Sequence, residues 1–467
     1  MKNLAKLLPW GLDPDIYTWG SYVVLDFETT GIDFGDSRDP DNHVVLVNWR
    51  VYKDYKLVKD KTIAGNETKL AELVEDVHEA DFCVAHNAKF EYGWLRRAGV
   101  DISQILFFCT QIAEYVILGN RKKSLKLNDI AERRGLGGKL DWVSALIHAG
   151  ICPSIIPIQP LTKYCEIDVQ LCYEVFQQQL IELEELGLLP VMFTRCIVTP
   201  VLVDIESRGM HLDSDRVMAA NIDYERQYDS VSRAISEFTG DTNLNSPKQV
   251  AELLYDRLGF NELKDKRGNP VRTAADGRRT DAATVISLKT NNQRQREFVE
   301  LYKERAKLNA ALTKNLWFFR GVVEESSDNV FFANLNQTVT ATHRLSSSGK
   351  RLEFELFDGK RKGIQFQNIP RIFKGLFSPR QSGWRINERD SSQLEFRVAV
   401  ELGQDATGVE EIRSGFDVHT FTANTLTDAG EPTGRQDAKS RTFKPLYGGS
   451  SGTDAERKYY KAFKEKY

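Results

Sequence analysis

Residues 23–33 read VVLDFETTGID, an apolar run that closes on two carboxylates, Asp26 and Glu28, with only Phe27 between them. Residues two apart in a strand face the same side, about 6.5–7 Å from each other. The two carboxylates therefore project together and repel unless a cation or solvent lies between them. All-oxygen ligation of this kind suits Mg²⁺ or Mn²⁺ better than zinc. Alone, the pair is equally compatible with a polar surface strand.

Two further stretches add to it. Residues 84–91, VAHNAKFE, carry a strand into Asn87 and reach Glu91 on the following turn. Residues 164–168, YCEID, place Tyr164 and Asp168 one helical turn apart on one face. Four carboxylates and a tyrosine, arriving from a strand and two helices, can surround a pair of metal ions. Such a pair activates water and stabilises the leaving oxygen of a phosphodiester, and the tyrosine hydroxyl can orient the attacking water. Taken singly, Tyr164 and Asp168 also fit a solvated helix face, and Asn87 a turn.

The bulk properties are compatible with this chemistry. The chain has 467 residues, 41% hydrophobic and 28% charged, which predicts two or three soluble globular domains. No apolar run approaches the roughly 18 residues of a membrane span, and MKNLAKLLPWGLDPD is too short in its apolar part for a secretion signal. Six cysteines without CxxC or Cys/His spacing read as reduced thiols in a cytoplasmic protein. The net charge of −3 carries no overall nucleic-acid signature, but residues 264–307 are locally basic.

Periodicity predicts strands over 21–27, 43–52 and 81–86, with helices over 68–79, 110–118, 125–135 and 160–185, an α/β arrangement. Beyond it the chain reads as helical, over 214–239, 246–258 (Ser246 as cap, Pro247 in the first turn) and 293–324, with a loop over 266–279. A strand is expected over 384–390, with helices after it.

Asp26-x-Glu28, Asn87-x3-Glu91 and Tyr164-x3-Asp168 resemble, in order, the three exonuclease motifs of the DEDD superfamily, tyrosine subtype, the proofreading 3′–5′ exonuclease of DNA polymerases. The resemblance spans residues 18–185. Glu91 stands where the family usually has Asp, a longer carboxylate at a metal position. Farther on, NLNQTVTATHRLSS (334–347), GIQFQNIP (363–370), INERDSSQLEFRVAVELGQD (386–405), FDVH (416–419) and RQDAKSRTFKPLYGG (435–449) resemble the thumb–palm junction, metal-binding palm motif and fingers helix of family A DNA polymerases. Ser391 departs from the aromatic or glycine common there.

The resemblance implies a ribonuclease-H-like exonuclease domain followed by a helical thumb and partial palm and fingers of a right-hand polymerase, in a mixed α/β and α+β multidomain chain. The implied divisions are an N-terminal segment (1–20), exonuclease (21–185), connector and thumb (186–330), partial palm (331–433) and the start of the fingers (434–467). It implies Asp390 as a metal-binding palm carboxylate at a strand end, and Glu395 as the sugar gate. His419, Arg435 and Lys439 then meet triphosphate oxygens, and Phe443 and Tyr447 cover base and sugar, the last four recurring every fourth residue on one helix face that Pro445 interrupts. Asn87 contacts the DNA strand, and Arg344, Gln367 and Asn368 line the primer–template minor groove.

Two Mg²⁺ or Mn²⁺ per active site are implied, with primer–template DNA, single-stranded 3′ ends and deoxynucleoside triphosphates as partners. The loops of 246–325 are too short for the thioredoxin-binding insertion of some phage relatives, and no membrane contact is expected. The arrangement looks phage-like, with the host cytoplasm as location. The family's later palm motif, His-Asp-Glu, has no counterpart here, so the expectation is a proofreading exonuclease joined to a polymerase half that a second polypeptide completes. A stand-alone exonuclease and a non-catalytic DNA-binding remnant are the alternatives.

Overall fold

The apolar run before Asp26 forms the central strand of a five-stranded sheet. This computed structural model describes residues 20–467, except 32–34, 66–69, 138–140, 241, 245, 266, 274–276, 350, 353–360 and 363. The expected N-terminal segment thus lies almost wholly outside the described residues, as do the start of the helix expected at 68 and parts of the loop at 266–279. The described chain divides into two compact units, one ending at Ser382 and one running from Gly383 to Tyr467.

In the first unit, β1 (Ser21–Thr29), β2 (Val44–Lys53), β3 (Lys56–Ala64), β4 (Phe82–Ala85) and β5 (Phe107–Cys109) form the sheet, in the order β3-β2-β1-β4-β5. β1 pairs antiparallel with β2 and parallel with β4, and β4 pairs parallel with β5. Tyr22, Val23, Val24 and Leu25 are all buried, so both faces of the sheet are covered at β1. This is why the run lacks alternation. β3 and β5 were not expected: β3 is a largely exposed edge strand rich in lysine, and β5 has three residues.

Helices α1 (Ala71–Glu79), α2 (Lys89–Arg97), α3 (Thr110–Leu118), α4 (Leu127–Arg133), α5 (Asp141–His148), α6 (Ile158–Glu185) and α7 (Leu189–Arg208) accompany the sheet. Packing does not stop at Glu185. Leu189, Met192, Phe193, Cys196 and Val203 of α7 join the same core as β1, β4 and β5. Then follow β6 (Met210–His211), α8 (Ser214–Thr239), α9 (Pro247–Ala251), α10 (Ala282–Ser287), α11 (Gln293–Ala311) and α12 (Trp317–Glu325). α8 matches its expected span, capped by the Asp213 side chain on the Arg216 amide. Pro247 does open α9, but Ser246 makes no side-chain cap bond. Glu252–Arg257 and Leu312–Leu316 are π-helical, the second joining α11 to α12 where one uninterrupted α-helix was expected.

β7 (Val330–Phe331) pairs with β6, and β8 (Ala333–Asn336) forms an antiparallel pair with β9 (Ser346–Gly349). In the second unit the described structure is helical: α13 (Leu394–Gly403), α14 (Ala406–Arg413), α15 (Val418–Asp428), α16 (Arg435–Thr442) and α17 (Asp454–Lys466). The strand expected at 384–390 does not form. Residues 384–390 take no regular structure, because no strand in that unit offers its backbone a partner. No helix among the described residues is long and apolar enough to cross a membrane.

Candidate functional site

Asp26 and Glu28 leave β1 on one face, toward α6, with a register shift at Glu28/Thr29 where pairing with β2 is interrupted. Glu28 is buried and Asp26 half-buried. β4 ends at Ala85, and Asn87, at φ 63°, turns the chain into α2; Asn tolerates this left-handed conformation better than most residues. That turn puts Glu91 in the first turn of α2, where the helix dipole favours a carboxylate. Asn87 itself is exposed.

Glu91 is 1% exposed, and its Oε2 has no hydrogen-bond partner. Burial, and then the negative charge of Asp26, hold its carboxyl well above the usual carboxylate range. A buried carboxylate and a half-buried one whose charges oppose each other fit a metal position.

On α6, Tyr164 and Asp168 are both buried on the sheet-facing side. Tyr164 belongs to a buried cluster with Leu46 of β2, Val143 of α5, Ile156 and Leu161. The residue between them that the motif reading passed over is Cys165. It is fully buried, and its thiol donates toward the Asp26 backbone oxygen at 3.4 Å and Oδ2 at 3.6 Å. Burial first, then the charges of Asp26 and Glu28, push this thiol well above its ordinary range. One ligand atom each of Asp26, Glu28 and Cys165 lie within 4.8 Å of one another. The structure thus gathers Asp26 and Glu28 beside a thiol, with Glu91 and Asp168 close enough for their charges to act on the same groups.

A polar seam ties this site to the segment before Arg344. The Lys89 ammonium, on α2 two residues before Glu91, donates to Glu206 Oε1 of α7 at 2.8 Å and to the Leu335 carbonyl of β8 at 3.0 Å. The Leu335 amide donates to the same Glu206 oxygen. Arg38 donates to the Glu206 carbonyl and Asn334 Oδ1, and Thr199 donates to Gln337. The Tyr115 ring lies 4.4 Å from His343, whose carbonyl accepts from Arg195. No local pattern announces these contacts, which join residues up to 296 apart.

Arg344 is exposed in the turn between β8 and β9. Gln367 and Asn368, also exposed, are brought to that hairpin because the Gln367 amide donates to Ser347 Oγ of β9. Asn368 also borders an open groove of about 770 Å³ whose lining includes Tyr224, Lys307, Lys314, Trp317 and Phe373. Of the three residues expected at a minor groove, Asn368 thus borders the groove that Lys307 and Lys314 also line.

In the second unit, α15 packs on α16 and sets His419, which is buried, with its Nδ1 3.0 Å from Thr442 Oγ1 and its ring edge-on to Phe443 at 5.3 Å. Burial, with Arg435 and Lys439 adding to it, lowers the His419 imidazole. Arg435 pairs with Asp417. Against the burial that opposes it, Arg435, the His419 amide and the Thr420 hydroxyl hold the Asp417 carboxyl down at about 2.

The helical stripe is shorter than expected. α16 ends at Thr442, Phe443 caps it, and Tyr447 lies in the turn that Pro445 enforces, 71% exposed. Arg435 and Lys439 remain exposed on the helix. Glu395 sits in the first turn of α13. Asp390 is exposed in irregular chain, so the expected strand does not position it.

A sequence model of the family described as "DNA polymerase family A" matches residues 214–458, more than half of the chain. DNA polymerase I of Synechocystis sp. is 26% identical over 378 residues, covering 78% of this chain and 35% of that protein. DNA polymerase I of Chloroflexus aurantiacus is 27% identical over 407 residues, covering 84% and 40%. The chain thus spans about a third of the length of the curated relatives it matches. Among solved structures, the polymerase domain of Pol1 from M. smegmatis, in complex with DNA primer-template and dNTP, shares the fold. It aligns with a TM-score of 0.66 at 18% identity, covering 99% of this chain and 75% of that one. By the match over residues 214–458, this chain belongs to DNA polymerase family A.

Proposed function

We propose that the chain removes nucleotides from the 3′ end of DNA, as the proofreading 3′–5′ exonuclease of a family A DNA polymerase acting in replication. The observation that carries this reading is Glu91, a carboxylate 1% exposed with an unpartnered oxygen, raised by burial and by Asp26. The sheet order β3-β2-β1-β4-β5, with β2 antiparallel and β4 parallel to β1, supports a ribonuclease-H-like domain.

Asp26, Glu28, Glu91 and Asp168 would hold two Mg²⁺ or Mn²⁺, and the residues present fit such hard ions in donor type and charge. When bound, the ions supply an activated water and charge stabilisation at the phosphodiester. The chain's own residues do the rest. Tyr164, buried in a cluster with Leu46, Val143 and Leu161, orients the attacking water by its hydroxyl. The buried faces of α6 and α2 keep the carboxylates from relaxing away from one another. Exposed Asn87 contacts the incoming strand.

For the polymerase half, Arg435, Lys439 and His419 serve triphosphate oxygens, Phe443 and Tyr447 the base and sugar, Glu395 the sugar gate, and Asp390 a metal ion. Arg344, Gln367 and Asn368, with Lys307 and Lys314 on the neighbouring groove, serve the duplex. Two-metal nucleotidyl transfer needs a further palm carboxylate beside Asp390.

The test follows a labelled primer–template with Mg²⁺ and all four deoxynucleotides. Shortening that Asp26→Ala abolishes supports the reading. A primer left intact by the wild-type protein refutes it.

A further inference from the structure

We propose that Lys89 and Glu206 are positioning residues for the hydrolysis of a paired primer. They lock the β8–β9 hairpin to the helix that bears Glu91, so that DNA seated on the hairpin presents its 3′ end to the carboxylates in one fixed place. This inference rests on the exonuclease reading and on the assignment of Arg344 and Gln367 to the duplex.

The lock grips β8 by its backbone. Glu206 Oε1 accepts from the Leu335 amide, and the Lys89 ammonium donates to the Leu335 carbonyl at 3.0 Å. Ammonium and carboxylate meet each other at 2.8 Å. Both polar groups of one strand residue are thereby satisfied by an ion pair, in the place a third strand would take. Glu206 is 8% exposed, so water competes little for these charge-assisted bonds. Two residues on, the buried Gln337 accepts from Thr199 at 2.9 Å and donates to the Arg195 carbonyl at 2.9 Å. Toward the turn, Tyr115 donates to the Thr340 carbonyl, and Arg195 to that of His343 at 3.2 Å. The hairpin is thus held to α2, α3 and α7, and Lys89 supplies its hold on α2.

Each end of the lock leads to residues assigned to DNA. On α2, Lys89 stands between Asn87 and Glu91, two residues from each. On the hairpin, Arg344 lies in the turn, and Ser347 Oγ holds the Gln367 amide at 3.1 Å. Reacting groups must be closely placed, and an error of about 1 Å costs on the order of 10²-fold in rate. A hairpin released from α2 still offers Arg344 and Gln367 to the duplex, but the 3′ end then arrives over a spread of positions. A free single strand reaches the carboxylates without the hairpin and needs no such register.

The experiment uses the full chain with Mg²⁺ and compares single-turnover hydrolysis of two substrates, a primer–template with unpaired 3′ nucleotides and the same primer as a single strand. In Glu206→Ala and in Lys89→Met, the rate on primer–template should fall at least about tenfold. The single-strand rate, and the affinity for primer–template measured in chelator, should each stay within about threefold of wild type. The double variant should be no slower than the slower single one, because the two residues act as a unit. Lys89→Arg, which keeps donors for both Glu206 and the Leu335 carbonyl, should hold the primer–template rate within about threefold of wild type. A lock that serves folding alone slows both substrates alike or weakens DNA binding, and either result overturns the proposal, as does a primer–template rate unchanged in both single variants. With the wild type active on single strands, those results leave the exonuclease reading standing. A wild type that shortens neither substrate overturns both.

Discussion

Replacing Glu91 by Gln removes the buried titratable carboxyl while keeping the shape, and the metal-free protein should become more stable by doing so. In the folded protein, burial and Asp26 raise the Glu91 carboxyl well above 4.5, its ordinary value and the value expected in the unfolded chain. Above that value the unfolded state ionises while the folded state keeps the proton, so the unfolded state binds fewer protons. Stability is therefore fully present at low pH and is lost as pH rises toward the folded value, by up to about 1.4 kcal/mol per pH unit. At neutral pH the Glu91→Gln variant should gain roughly 1–3 kcal/mol, the scale of relieving a buried unsatisfied group. Saturating Mg²⁺ should reverse the order: at 100 times its dissociation constant it stabilises wild type by about 2.7 kcal/mol, and the variant loses a ligand. Native-state hydrogen exchange of β1 and α2 peptides in chelator, from pH 5 to 8, reads this locally without involving the helices of residues 383–467. Equal protection and equal pH slopes in the two proteins would refute the assignment of Glu91 as a metal-deprived buried carboxylate.

Three further outcomes are expected. Tyr164→Phe keeps the packed ring and removes the hydroxyl, so hydrolysis of a single-stranded 3′ end should slow by roughly 10²-fold with little change in DNA binding; an unchanged single-turnover rate would exclude a role in orienting water. Lys89→Met takes the ammonium from Glu206 and from the Leu335 carbonyl, leaving Glu206 only the Leu335 amide, and about 1–2 kcal/mol of local stability should go with it, seen as faster exchange in residues 333–343 and α7 while β3 is unaffected. In Arg435→Ala, the Asp417 carboxyl should titrate above about 2, because one of the groups that hold it down is gone while the His419 amide and the Thr420 hydroxyl remain; a carboxyl resonance that stays at the lower value would place the cause elsewhere.

Much of the site was legible in the sequence because its chemistry is written locally. A strand period carries Asp26 and Glu28 to one face, and a helix period does the same for Tyr164 and Asp168, whatever the rest of the chain does. α8 and α6 could be read to within a few residues for the same reason, a long amphipathic repeat. Asp390 shows the opposite: its segment has a strand-like composition, but a strand exists only by pairing, and 384–390 finds no partner. Only the tertiary structure decided that Glu91 is buried beside Asp26, that Cys165 turns its thiol to that carboxylate, and that Glu206 joins α2 to β8. Burial and approach depend on residues scores to hundreds of positions away, and no period or motif within a window of the chain encodes them.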